Sequence, residues 1–145
     1  MKFVWSSKID APSRDVFAFH ERPDAFQLLV PPWQKMRVIQ PPTSLEIGTI
    51  VIVEVRFAPL VWRRIVVEHV EYEPGRMFAD RQIEGPFRSW LHRHIVTPID
   101  DRTCTLTDDI EAEIPRLIAP IARRQLARLF AYRHDATRDR VKLGA

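Results

Sequence analysis

Apolar and polar positions alternate through the middle of this chain and change to a helical spacing near its end. From Ile50 onward, runs at 50–57, 61–72, 76–83, 87–97 and 103–114 are rich in β-branched and aromatic residues and are separated by Pro-, Gly- or Asp-bearing turns, a pattern that predicts successive strands. Residues 2–9 read as a first strand. Ser13 offers an N-cap for a short helix through about His20, and Pro23 opens a second short helix that ends before Pro31-Pro32-Trp33. A strand near 35–40 is broken by Pro41-Pro42. After Pro115 the chain turns helical to about Arg140, with Pro120 either in the first turn or kinking the helix. Ile118, Ile121, Ala122, Leu126, Leu129, Tyr132 and Ala136 fall on one stripe of this helix, so that face must be covered, and only a sheet is large enough to cover it. The pattern predicts one α+β domain over residues 1–145, with a curved antiparallel sheet of about six to seven strands and a long C-terminal helix.

Side chains alternate along a strand and directly opposed residues share a face, so the turns predict which side looks inward. Closing the first hairpin on 58–60 opposes Val55 to Arg63, Val53 to Ile65 and Val51 to Val67. Closing the second on 73–75 opposes Glu71 to Met77 and His69 to Ala79. Turns at 84–86 and 100–101 then set Ala79 beside Leu91, Leu91 beside Ile110 and Arg93 beside Asp108. The resulting inward face runs from Val51, Val53, Val55 and Phe57 through Ile65, Val67, Ile83, Phe87, Leu91 and Ile95 to Leu106, Ile110, Ala112 and Ile114. On this pairing Leu91→Asp is expected to unfold the domain, whereas His92→Ala changes its stability little.

The informative residues are the polar ones on the apolar side, because buried charge is costly unless it is paired. Arg93, Asp108 and Glu71 share a row and form either a structural ion pair or a cluster that orients a ligand's polar end. The candidate ligand-binding residues are His69, Glu71, Arg81, Leu91, Arg93, Asp108 and Ile110 from the sheet, with Leu126 and Leu129 from the helix.

Composition narrows the classes. With 46% hydrophobic and 28% charged residues the chain is globular rather than disordered. Cys104 is the only cysteine, which excludes an intramolecular disulfide and a four-cysteine zinc site and points to the cytoplasm. No apolar run reaches the roughly 20 residues of a membrane span, so no stable membrane insertion is expected. The net charge of +3 is concentrated in the last helix, at residues such as Arg123, Arg124, Arg128 and Arg138. No nucleic-acid motif accompanies it, so the reading is a solvated face and no nucleic-acid partner.

Trp90-Leu91-His92-Arg93-His94 puts two imidazoles on one strand face and, with Asp80 on the neighbouring strand, imitates a two-histidine, one-carboxylate metal centre. The pairing above places these residues outside, where water is not excluded, so no metal is expected; a single β-bulge would reverse that parity. Nucleophile elbows, phosphate-binding glycine loops and dinucleotide fingerprints are absent, and no cofactor is expected. The enzymatic route left open is acid–base chemistry by His69, Asp108 or Glu71 in a cavity.

Several strings carry a family resemblance: His20 with Pro23-Asp24-Ala25-Phe26, Pro31-Pro32-Trp33, Gly48, Phe78-x-Asp80-x-Gln82-x-x-Gly85-Pro86-Phe87, Trp90-x-His92-x-His94, and Thr105-x-x-Asp108 leading to Pro115. With elements in this order the chain resembles the START-like helix-grip (SRPBCC) superfamily of polyketide cyclases and dehydrases, lipid carriers and birch-pollen-allergen-like proteins. It is most similar to a bacterial ligand-binding group sometimes fused to an epimerase. The resemblance implies that the sheet wraps the last helix and that ligands enter between them. It implies a scaffold rather than one activity. Three functions follow as expectations: binding or transport of a small hydrophobic molecule, a cyclase or dehydratase working in the same cavity, or an accessory module with a protein partner.

Overall fold

The computed structural model describes residues 1–143, with the side chains of Phe57 and Leu143 outside the described set. Strand β1 (Lys2–Ile9) leads into helices α1 (Ser13–Glu21) and α2 (Ala25–Leu28). Strands β2 (Met36–Gln40), β3 (Ile50–Ala58), β4 (Val61–Glu73), β5 (Met77–Glu84), β6 (Ser89–Pro98) and β7 (Cys104–Glu113) follow, and α3 (Ala119–Leu143) closes the fold. The strands form one antiparallel sheet in the order β1-β7-β6-β5-β4-β3-β2, so the first strand pairs with the last and hairpins connect the rest. This is the α+β helix-grip architecture, with α3 lying against the sheet. No helix among the described residues is long and apolar enough to cross a membrane.

Local chemistry explains the boundaries. Helix α1 is capped by Pro12 rather than by Ser13, since the Pro12 carbonyl accepts the amides of Asp15 and Val16 at 3.0 and 3.2 Å. Gly75 takes φ +78° in the β4–β5 turn, a left-handed geometry that costs glycine little. Pro120 sits in the first turn of α3, where the missing amide is no loss.

Besides irregularities in the β2–β3 pairing and at the Arg56–Ala58 end of β3, the register departs from simple hairpin parity at three places that set the faces of β5, β6 and β7. Between β3 and β4 the pairs Val51↔Val67, Val53↔Ile65 and Val55↔Arg63 are as predicted. Between β4 and β5 there are two register shifts: Val70 stands unpaired between His69↔Asp80 and Glu71↔Ala79, and Ile83 between Val66↔Glu84 and Val67↔Gln82. A bulge puts two residues opposite one, so the parity flips. His69 stays inside, Glu71 moves outside, and Asp80, not Ala79, shares the face of His69. Along β6 the inward residues are therefore Trp90, His92 and His94, because His92 opposes Asp80 and Ile110. The β6–β7 turn spans 99–103 instead of 100–101, and this third departure restores the predicted face of β7. Leu106, Asp108, Ile110 and Ala112 are all buried.

The covered face of α3 is also rotated from the predicted stripe. Ile118 and Ile121 are 48% and 60% exposed, while Phe130, His134 and Thr137 are buried. A count of apolar residues alone passes over His134 and Thr137. Their polar atoms are satisfied inside: the Thr137 hydroxyl donates to the Arg133 carbonyl at 2.9 Å, and His134 bonds to Asp108.

Candidate functional site

Between α3 and the concave side of the sheet lies an open cavity of about 1590 Å3. Its walls are Val51, Val53, Val55, Ile65 and Val67 from β3 and β4, Phe26 and Leu29 from the α2 segment, and Leu126, Leu129 and Phe130 from α3. Ala58 and Pro59 of the β3–β4 turn and Ile118 and Ile121 near the start of α3 also border it, and all four are exposed to solvent. These walls present aliphatic and aromatic carbon to whatever enters.

One region is different. All five histidines of the chain, His20, His69, His92, His94 and His134, line this cavity, together with Asp80 and Asp108. They arrive from α1, β4, β5, β6, β7 and α3, so only the complete fold assembles them. Asp108 is the hub. His92 donates from Nε2 to its Oδ1 at 2.7 Å and His134 from Nε2 to Oδ2 at 2.6 Å, and His94 Nδ1 lies 3.2 Å from Oδ1 in an ionic contact. The Ser7 hydroxyl bonds to Nδ1 of His134, the acceptor nitrogen once Nε2 carries the proton. His94 reaches a second carboxylate through Nε2, which donates to Asp80 Oδ2 at 2.9 Å. Phe78 stacks on the His94 ring at 4.1 Å, and His92 stands edge-on to Phe130 at 5.2 Å.

This geometry decides the protonation states. Both ring nitrogens of His94 face carboxylates, Nε2 toward Asp80 at 2.9 Å and Nδ1 toward Asp108 at 3.2 Å, surroundings that favour the imidazolium. Burial alone would lower its pKa, but the hydrogen bonds to Asp108 and Asp80 outweigh that and push it up to about 9. Burial would raise Asp108, but the bonds from His134, His92 and His94 hold its carboxyl well below the usual range. Asp80 behaves the same way, with burial overcome by His94. His20 is the opposite case: burial pushes it down to about 4, against the opposing influence of the Val16 carbonyl that accepts its Nδ1 proton at 2.8 Å. Burial also lowers His69 and His92. Cys104, buried and pushed up to about 11 by desolvation, is no nucleophile.

Asp80, His92 and His94 each bring one donor atom within 4.8 Å of the others, the two-histidine, one-carboxylate constellation suggested by their spacing. In this structure His94 and Asp80 spend their facing atoms on each other.

Of the residues expected to bind a ligand, His69, Asp108, Leu126 and Leu129 line the cavity. Ile110 is fully buried beneath α3 beside Phe3 and Phe130, a core position rather than a lining one. Glu71, Arg81, Leu91 and Arg93 lie on the outer face, turned there by the bulges in the β4–β5 pairing. The expected Arg93–Glu71 ion pair does form, with Nε to Oε1 at 2.7 Å, but it is partly exposed on the convex side. The ranking of Leu91 above His92 is likewise reversed, since His92 is buried and Leu91 only partly so. Parity reasoning placed His92, His94 and Asp80 outside, and missed Arg133 and His134 altogether. The Trp90-x-His92-x-His94 string was the signal for the first three. For His134 the signal is its place four residues after Phe130, on the buried stripe.

Residues 7–141 match the family model described as Domain of unknown function (DUF8410). No curated protein matches the sequence. Among solved structures, norcoclaurine synthase from Thalictrum flavum, in complex with dopamine and hydroxybenzaldehyde, is 15% identical, with a TM-score of 0.73 over 100% of this chain and 88% of that one. A nucleoside-diphosphate sugar epimerase from Corynebacterium glutamicum is 22% identical, with a TM-score of 0.75 over 97% of this chain and 29% of its own. The Zhui aromatase/cyclase from Streptomyces sp. R1128 is 15% identical, with a TM-score of 0.66 over 98% of this chain and 93% of its own. At these identities the likeness is one of fold, and the fold is START-like.

Proposed function

The chain belongs to the DUF8410 family, whose description assigns no activity, and we propose that it binds a small, largely apolar molecule between the sheet and α3, with the molecule's polar end against the histidine floor. The observation that carries this reading is the convergence of every histidine in the chain on one cavity whose walls are largely apolar, with charged side chains at its exposed border. Ligand sites have this composition, a greasy enclosure with a few fixed polar groups. His69 adds a specific handle: it is buried, and its Nδ1 has no partner among the described residues. A buried polar atom left without a partner costs about 1–3 kcal/mol, which a ligand's hydrogen bond would relieve.

Native mass spectrometry of protein purified from its own host tests this. The expected result is a co-purifying small molecule released on unfolding. A clean apo mass, together with no fluorescence enhancement of phenylnaphthylamine on titration, contradicts it.

A cyclase- or dehydratase-type reaction in the same cavity is the second reading, favoured by the spread between His20, held at about 4, and His94, held at about 9. Environments that push like groups apart in this way separate a neutral acceptor from a proton donor. The aromatase/cyclase and the synthase that share the fold show that it supports enzymes. Recovery of the co-purified molecule chemically unchanged after prolonged incubation with the protein favours a carrier, and conversion favours the enzyme. The third expectation, an accessory interaction module, would be favoured by a filled interior, and the open cavity gives it no such support.

A further inference from the structure

Arg133 precedes His134 on α3, and its side chain lines the cavity with Cζ 5.6 Å from the Phe130 ring centroid. Its Nε is buried, and among the described residues the guanidinium makes no hydrogen bond and no ion pair. A guanidinium presents five donors in a planar fork, and a buried Nε–H left without an acceptor is costly. The carboxylates that border the cavity are all engaged elsewhere. Asp108 takes three histidines, Asp80 takes His94, and Glu113 faces Arg88 at 3.9 Å. The surplus around the cavity is cationic, for Lys35, Arg56 and Arg116 also border it with no ion pair among the described residues.

Resting on the cavity-binding reading above, we propose that the bound molecule is an apolar acid, its carboxylate gripped by the Arg133 guanidinium and its body lying along the aliphatic wall. A carboxylate suits the fork of a single arginine because two parallel N–H donors match its two oxygens. Lys35, Arg56 and Arg116 border the route along which such an anion would approach.

The test uses phenylnaphthylamine, an uncharged dye that reports the cavity alone, displaced by dodecanoate or by dodecanol, which share one body and differ in the charged end. Wild-type protein should release the dye at about ten-fold or more lower concentration of the acid than of the alcohol, the size expected of one buried charge-assisted contact. In Arg133→Met the two should become equivalent, and Arg133→Lys should keep part of the preference. Equal potency of acid and alcohol on wild type, failure of both to displace a bound dye, or a preference that survives Arg133→Met overturns the assignment while leaving the cavity reading intact. If the dye itself fails to bind, the cavity reading falls and this inference with it. Should Arg133→Met not fold, the acid–alcohol comparison on wild type decides alone.

Discussion

His134 on α3 donates its Nε2 proton to Asp108 on β7 across 2.6 Å, a bond between residues that are buried and 26 positions apart. It ties the C-terminal helix to β7, the strand next to the β1 edge, and shares its acceptor with two histidines of β6. The arrangement runs from Ser7 through His134, Asp108 and His94 to Asp80, joining β1, α3, β7, β6 and β5 by hydrogen bonds and one ionic contact. Helix docking and site geometry thus depend on one carboxylate.

Asp108→Asn is therefore expected to destabilise the fold by about 3–5 kcal/mol, the usual cost of breaking a buried charged contact by removing one partner. The amide keeps the shape but presents N–H donors to donors and leaves His94 with one counter-ion. Urea unfolding followed by circular dichroism measures it. A loss below about 1 kcal/mol would mean that the histidine floor is not held as described.

Raising the pH should weaken the protein. His94 has a folded-state pKa of about 9, above its ordinary 6.5, so its contribution is fully present below pH 6.5 and disappears as pH rises through 9. The shift corresponds to at most about 3 kcal/mol. On the acid side the sign reverses: His20, held at about 4, resists a proton that the unfolded chain accepts at 6.5, so stability falls as pH drops through that window. Melting temperatures between pH 5 and pH 9.5 should pass through a maximum near neutrality, and His94→Gln should abolish the alkaline limb.

His92→Ala should cost more than Leu91→Ala. The first removes a buried ring that bonds to Asp108 and stands against Phe130, and is worth about 2–4 kcal/mol. The second trims a partly exposed side chain on the convex face, for about 1 kcal/mol. Paired denaturation curves in the opposite order would restore the simple hairpin parity.

In the β5–β6 turn, Gln82, Gly85 and Phe87 work as one unit. Gln82 donates from Nε2 to the Phe87 carbonyl at 2.6 Å and takes the Phe87 amide at 3.4 Å. A Cβ on Gly85 would lie 2.3 Å from Gln82 Oε1. Gly85→Ala should displace that clasp at a cost of about 1–2 kcal/mol, and in a Gln82→Ala background the same substitution should cost nearly nothing. Additive losses in the double variant would show that the clasp is not what the glycine protects.

The fold was readable because strand and helix periods, proline positions and the motif strings all agree on it. The inner surface of β6 was not. Its assignment passes through two hairpins, and nothing in the composition around Val70 or Ile83 announces a bulge, so one unpaired residue in β4 moved Glu71 outward and carried Leu91, Arg93 and Arg81 with it. Asp108 survived because the longer β6–β7 turn reversed the parity once more. His134 and Arg133 were hidden for a different reason. Apolar counting treats polar residues as solvent-facing, whereas His134 is held inside by Asp108 and Arg133 lines the cavity with its Nε buried, placements that only the tertiary structure supplies.

The most direct measurement is a titration of the protein with phenylnaphthylamine while the imidazole side-chain resonances are followed by NMR. Saturable binding should shift several of the histidine signals, His69 among them, with one ring, His94, remaining doubly protonated at neutral pH throughout. Binding that leaves every imidazole resonance unmoved, or no binding at all, would contradict a ligand cavity floored by these side chains.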